Sequence, residues 1–380
     1  MSSILTFGSE MTYQNLNKIL LSKEALTQNH KNLQDFHQNA KVCPVLKSNA
    51  YGHGLKQLAP IFDSMHCEFL IVDSLFEAYE LYKMRVKTPI LIMGYTDPEN
   101  FKLKRLPFSI AIFDLELAKI LNEYQRGCKV HVFVDTGMSR EGVNLEDLEN
   151  FLMELKKLKN LNITGLCSHL ADADNPNSQD FVKEQIKQYK KALQIMNKQQ
   201  IFPEWRHISA SGGAFKVKNQ TFNMIRAGIA HYGISPLVKS DPYKNKISLQ
   251  PVLEFSSTLV QIKKIKKDAV VGYGCTFKAR ADKVLALLPA GYYEGVDKRL
   301  SNKGLVKIRD QYFPIVGRVS MNMTSIDISK LKDPQIGEKV IIYSSNKPDK
   351  NSISNAALKA KTIPYDLLVH LAESVKRVLI

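Results

Sequence analysis

Lys47 follows two apolar residues in the run Val45-Leu-Lys-Ser-Asn-Ala-Tyr-Gly-His-Gly54. A charged amine at the end of an apolar strand is costly to bury, and a Schiff base with an aldehyde cofactor removes that charge. On these residues alone the alternative is a rim lysine whose stem snorkels to water. Other polar groups follow apolar runs in the same way: Asp135-Thr-Gly-Met-Ser-Arg140, His169, Ser209-Ala-Ser-Gly-Gly213 and Arg226-Ala-Gly228. Around Ser211, Gly212, Gly213, Gly228 and Ile229, small side chains leave backbone N–H groups open to a phosphate, although Ser-Gly-Gly alone is most often a turn. A strand-end amine together with such a cradle points to a phosphorylated aldehyde as cofactor.

These residues require a frame that gathers separated strand ends on one face. From 42 to 233 the chain alternates short apolar runs with longer amphipathic stretches, the pattern of βα units. Eight candidate strands fall at 42–48, 68–74, 89–94, 108–114, 129–137, 163–169, 205–211 and 223–233. Eight runs with helix-length spacers fit an α/β fold with a (β/α)₈ barrel, which places functional groups at the C-terminal strand ends and phosphate loops after strands 7 and 8. A doubly wound sheet is the competing arrangement. After Tyr243 the pattern turns to β-type runs separated by turn residues, ending in short helical segments at 354–360 and 365–378. The expected division is a barrel over 11–244 and a mainly β domain over 245–380, which the extended-looking residues 4–10 could join as part of a 1–10 segment.

The composition, 44% hydrophobic and 24% charged over 380 residues, excludes a disordered chain. The formal net charge of +16 is spread along the sequence without a nucleic-acid-binding motif, so no nucleic-acid partner is expected. Five scattered cysteines without CxxC spacing argue against both a disulfide framework and a metal site. With neither a signal-peptide pattern nor a membrane-length apolar run, a cytoplasmic protein without membrane contact is expected.

The Lys47 segment resembles the pyridoxal 5′-phosphate (PLP) lysine signature of the alanine racemases. The likeness continues, in family order, through Asp135-Thr-Gly-Met-Ser-Arg140, Asn223-Met-Ile-Arg-Ala-Gly-Ile-Ala-His-Tyr-Gly233, Val271-Gly-Tyr-Gly-Cys-Thr-Phe277, Pro289-Ala-Gly-Tyr-Tyr-Glu-Gly295, Val316-Gly-Arg-Val-Ser-Met321 and Thr362-Ile-Pro-Tyr365. The resemblance implies an isomerase that interconverts L- and D-alanine and supplies D-alanine for bacterial peptidoglycan. It assigns Lys47 and Tyr273 as the two acid/base groups on opposite faces of the substrate. It gives Tyr51, Tyr365, Ser211, Gly228 and Ile229 to the cofactor phosphate, His169 to the cofactor ring, Arg226 to the ring nitrogen and His207 to the support of Arg226. Arg140 and the backbone near Met321 are assigned to the substrate carboxylate, and Tyr292 to a narrow entrance. It also implies a head-to-tail homodimer in which Tyr273 and Met321 serve the other subunit's barrel.

The sequence departs from the family pattern at three of these points. Phe133 stands where many members carry a carbamylated lysine whose charge orients the substrate-binding arginine, so Arg140 needs another anion: a chloride, or a carboxylate from elsewhere. Asn322 stands where an aspartate often follows the methionine, and Ala210 where an asparagine often precedes the serine. A single-barrel PLP carrier needs neither Tyr273 nor residues 245–380, and a decarboxylase of this fold needs an acid where Arg226 stands. A racemase acting on serine or another small amino acid fits the same residues.

Overall fold

The computed structural model describes residues 14–217 and 220–380. The first strand, β1 (Lys18–Leu21), is followed by the helix Lys23–Phe36, which Ser22 caps by accepting a hydrogen bond from Ala25 N at 3.1 Å. Eight parallel strands come next: β2 (Lys41–Pro44), β3 (Leu70–Val72), β4 (Ile90–Ile92), β5 (Phe108–Ile112), β6 (Cys128–Phe133), β7 (Leu161–Cys167), β8 (Trp205–His207) and β9 (Met224–Ala227). Strands β3 to β8 pair in chain order and β2 pairs with β9. The ring is closed by a bridge between Val45 and Ile71, and by Asn223 N donating to Arg206 O and Arg226 N to Ser209 O. The expected (β/α)₈ barrel is therefore present.

Strands β3, β4 and β5 are buried at every position, as strands covered on both faces must be. One face packs against helices whose apolar stripes point inward, such as Leu148, Phe151, Leu152 and Leu155 on Leu148–Lys157. Alternate residues, among them Cys43, Phe69, Ile71, Leu91 and Met224, form a separate cluster. Residues at or just after the C-terminal ends of seven of these strands, all but β5, line one cavity.

The remaining chain builds a mainly β unit. One six-stranded sheet runs Gln311–Pro314, Leu305–Ile308, Lys339–Tyr343, Leu253–Thr258, β1, Lys376–Leu379. A three-stranded sheet joins Gln261–Ile265, Lys283–Leu288 and Thr324–Asp327. Two details differ from the sequence reading. Strand β1 lies inside the stretch expected in the barrel yet pairs with Leu253–Thr258 and Lys376–Leu379, because its short apolar run fills the gap between those two strands. The run 365–378 is not one helix: Pro364–Val369 is helical, and Lys376–Leu379 is an extended edge strand that takes up the backbone groups of β1. The possible strand at 4–10 lies outside the described residues. Among the described residues all five cysteines are free, and no helix is long and apolar enough to cross a membrane.

Candidate active site

A cavity of about 420 Å³ opens at the C-terminal strand ends and is lined by Lys47, Tyr51, Arg140, His169, Ser211, Arg226, Gly228 and Tyr365, among others. Its size is that of a small-ligand pocket. Most of the residues singled out from the sequence, Gly212 and Gly213 among them, thus converge on one space.

Lys47 follows β2 by three residues, and its Nζ donates to Asp73 Oδ1 at 3.1 Å. The next four residues, Ser48, Asn49, Ala50 and Tyr51, all have φ between 52° and 55°, forming one left-handed turn. For L-residues this conformation costs roughly 1–2 kcal/mol each, so it must be held from outside. Glu77 Oε1 accepts from Ser48 N at 2.6 Å, while its other oxygen accepts from Asp73 N and Ser74 N. Asn49 Oδ1 accepts from Leu55 N at 2.7 Å and so caps the following helix, Leu55–Ser64. Gly52 ends the turn at φ 76°, where a methyl group would lie 1.8 Å from Leu368 O. Asp73 and Glu77 were not singled out from the sequence. The Ser74-x-x-Glu77 capping box was the available signal, but it marks only a helix start.

At the opposite wall, Ser211 Oγ accepts from Gly228 N and Ala230 N at 3.0 and 3.3 Å, tying the loops after β8 and β9 together. A methyl at Gly228 would stand 2.4 Å from Tyr51 Oη, so only glycine admits the tyrosine there. Tyr51 and Tyr365 lie with ring centroids 5.9 Å apart, and neither hydroxyl has a hydrogen-bond partner among the described residues. Burial raises the pKa of both phenols, which keeps them protonated donors. Two unpartnered O–H donors beside a glycine backbone fit an acceptor-rich anion such as a phosphate. Ile229 is the exception in this group: its side chain is wholly buried and is not among the residues lining the cavity.

Arg226 is 4% exposed and has no carboxylate partner among the described residues. Nη2 donates to Ser168 O at 2.6 Å, Ile208 O at 3.3 Å and His169 Nδ1 at 3.1 Å, and Nη1 donates to His207 Nδ1 at 2.5 Å. Because a guanidinium can only donate, Nδ1 of both histidines must be the acceptor. His207 Nε2 then carries the proton and donates to His131 Nδ1 at 2.8 Å. Burial, followed by the charge of Arg226, pulls His131 and His169 down to about 3 and His207 well below its ordinary value. The result is a row of neutral histidines fixed in one tautomer around a permanent cation. His207 does support Arg226, and His131, unremarked in the sequence, extends that support.

Arg140 is held by a neighbour. Nη2 donates to Glu141 Oε1 at 2.8 Å and Nε pairs with Oε2 of the same carboxylate. Phe133 is buried beside them in the cavity wall. Of the two anions weighed for Arg140, the structure supplies the carboxylate, from the adjacent position. The preceding turn is set by Asp135, whose Oδ1 accepts from Gly137 N, Met138 N and Ser139 N.

Three residues stand apart. Tyr273, Tyr292 and Met321 belong to the β unit, are 74%, 41% and 56% exposed, and do not line the cavity. The turn carrying Tyr273 packs on Gly317 and Arg318, and the chain continues from there to Met321. Tyr292 N donates to Ser320 O and Tyr293 N to Met321 O, both at 2.9 Å, joining the neighbouring loops. Within one chain the lysine and this phenol do not meet.

Comparison with known proteins agrees with both halves of this architecture. Residues 21–236 match the family model of the alanine racemase N-terminal domain, and residues 252–379 that of the C-terminal domain. The chain is 32% identical over 346 residues to alanine racemase 2 of Caldanaerobacter subterraneus subsp. tengcongensis, covering 90% of this chain and 88% of that protein. It is 31% identical to alanine racemase of Clostridium tetani, over 94% and 93% of the two chains. The solved alanine racemase of Clostridium difficile 630 superposes with a TM-score of 0.90 at 27% identity, covering 97% of each chain. That of Bacillus anthracis, with bound L-Ala-P, gives 0.89 at 25% identity over 97% of this chain and 96% of the other. The fold, the convergent cavity and these likenesses together establish that the chain belongs to the alanine racemase family.

Proposed function

We propose that this protein is an isomerase that interconverts L- and D-alanine with PLP held in the barrel cavity. The observation that carries the reading is the cavity itself, where the Lys47 amine, two unpartnered phenols and a permanently charged Arg226 converge. Ser211, the Ile229 amide, Tyr51 and Tyr365 would hold the phosphate, with the bare Cα of Gly228 leaving room for the Tyr51 hydroxyl beside it. Lys47 would carry the cofactor, and His169, which lines the same cavity, would face its ring. When bound, PLP supplies an electron-withdrawing ring that makes the substrate Cα proton removable. Arg226 has only donors to offer, so facing the ring nitrogen it would disfavour a proton there.

Arg140, steadied by Glu141, binds the substrate carboxylate with help from the backbone near Met321. Lys47 removes or returns the Cα proton on one face. Tyr273 does so on the other, and since it lies outside the cavity of its own chain, a second copy delivers it together with Met321. The active form is therefore a homodimer, and Tyr292 narrows the entrance to favour a methyl side chain. A PLP carrier has no use for residues 245–380 or for Tyr273. Incubation with L-alanine, L-serine and L-lysine in deuterated water tests the reading. D-alanine with deuterium at Cα is expected, whereas D-serine as the main product moves the assignment to another small amino acid, and no exchange overturns it.

A further inference from the structure

Arg377 lies on the last strand, Lys376–Leu379, yet its side chain reaches the barrel. Nε and Nη2 donate to Gly52 O at 3.1 and 2.8 Å. Nη1 donates to Ala372 O and Val375 O, both at 2.9 Å, and to Glu373 O at 3.3 Å, while Nη2 also donates to Leu371 O at 3.2 Å. Every acceptor is a backbone carbonyl, and among the described residues the guanidinium has no carboxylate partner. A planar fork of five N–H groups can join two chain segments in this way, whereas an ammonium radiates its three donors from one point.

The two segments are informative. Gly52 ends the left-handed turn that begins just after Lys47 and contains Tyr51. Residues 371–375 follow the helix Pro364–Val369, which carries Tyr365 and whose Leu368 carbonyl sits against Gly52. The same arginine packs on the other side of the turn, where a methyl at Gly54 would lie 2.8 Å from its Cδ. Nothing in Ser-Asn-Ala-Tyr favours four successive left-handed residues, so the turn unwinds unless its end is anchored.

We propose that Arg377 is a positioning residue that fastens the strained turn after Lys47 to the segment behind Tyr365, so that one guanidinium sets the spacing of the two phosphate-facing phenols. The inference rests on the functional reading only in naming the phosphate as what the phenols face. The C-terminal strand thereby becomes part of the cofactor site without touching it.

The test uses the full chain, with and without PLP, as wild type, Arg377→Lys and Arg377→Gln. Hydrogen exchange of the PLP-free proteins should be about tenfold faster or more at the amides of Ala50, Gly52 and Gly54 in both variants, with amides of the barrel strand Cys128–Phe133 unchanged. PLP should leave both variants about tenfold faster, and lysine should not rescue it because it cannot span the two segments. Unchanged exchange at residues 50–54 overturns the proposal, as does a uniform rise across the whole chain, which marks general destabilisation. If the variants do not fold, the wild type decides: under rising denaturant Gly52 and Gly54 amides should open together with Lys376–Leu379, and independent opening refutes the link. Should wild type bind no PLP at all, the functional reading fails while the exchange data still decide the role of Arg377.

Discussion

Gly228→Ala probes the proposed phosphate cradle most locally. The added methyl would stand 2.4 Å from Tyr51 Oη and 2.7 Å from Cζ, roughly 1 Å inside the ~3.5 Å at which carbon contacts become favourable. Tyr51 is flanked by Tyr232 and Tyr365, with ring centroids 5.3 and 5.9 Å away, so the ring must tilt and carry its hydroxyl off the cradle. A hydrogen bond to a charged acceptor is worth about 1.5–3 kcal/mol, which at 1.4 kcal/mol per decade means roughly ten- to hundred-fold weaker PLP binding. Overpacking adds a separate stability cost of about 1–3 kcal/mol. Tyr51→Phe removes the hydroxyl without adding volume, and should reproduce the affinity loss with little change in urea stability. Because both changes act on one hydroxyl, the double variant should lose far less affinity than the sum of the two. The assays are PLP titration of the apoprotein and urea unfolding. Wild-type PLP affinity in Gly228→Ala, or full additivity in the double variant, refutes the cradle.

Lys216 and Asp241 pair at 2.6 Å with side chains 4% and 0% exposed, so Lys216→Met strands a buried carboxylate and should cost about 3–5 kcal/mol in urea unfolding; a loss below about 1 kcal/mol contradicts this. Six histidines are pushed toward the neutral form by burial: His53 down to about 4, His131, His169 and His231 to about 3, and His207 and His30 below their usual 6.5, His207 well below. Unfolding lets each take up a proton, so the stability they contribute is full above pH 6.5 and falls below it by about 1.4 kcal/mol per histidine per pH unit. Urea midpoints should drop steeply from pH 6.5 toward 4, and a flat profile there is the contrary result. Glu141→Gln frees Arg140, and because that pair is half exposed the expected rise in KM for alanine is only about two- to five-fold; steady-state kinetics showing an unchanged KM would remove Glu141 from substrate binding.

The barrel was legible because its strands are short apolar runs separated by helix-length spacers, and such runs admit few alternatives. Lys47, His169 and Arg226 were legible as site residues because a polar group ending an apolar strand has only the cavity to face. The left-handed turn was not. Ser48, Ala50 and Tyr51 carry no sign of positive φ, which here is imposed by Glu77, by the Leu368 carbonyl and by packing around Gly52. Glu141 escaped notice because its carboxylate matters only once Phe133 fills the wall beside Arg140. Residues 376–378 suit either helix or strand by sequence, and the open edge of β1 decides for strand. Tyr273 sits exposed between Gly272 and Gly274, at φ 71° and 70°.

The proposed reaction requires Lys47 of one copy to work with Tyr273 of another. Lys47→Ala and Tyr273→Phe should each be inactive or nearly so alone. Mixed in equal amounts and allowed to exchange subunits, they should recover about a quarter of wild-type alanine racemisation, since half the dimers are hybrid and each hybrid holds one intact site of two. A mixture that stays as inactive as its components, although native mass spectrometry shows hybrids have formed, contradicts the shared site.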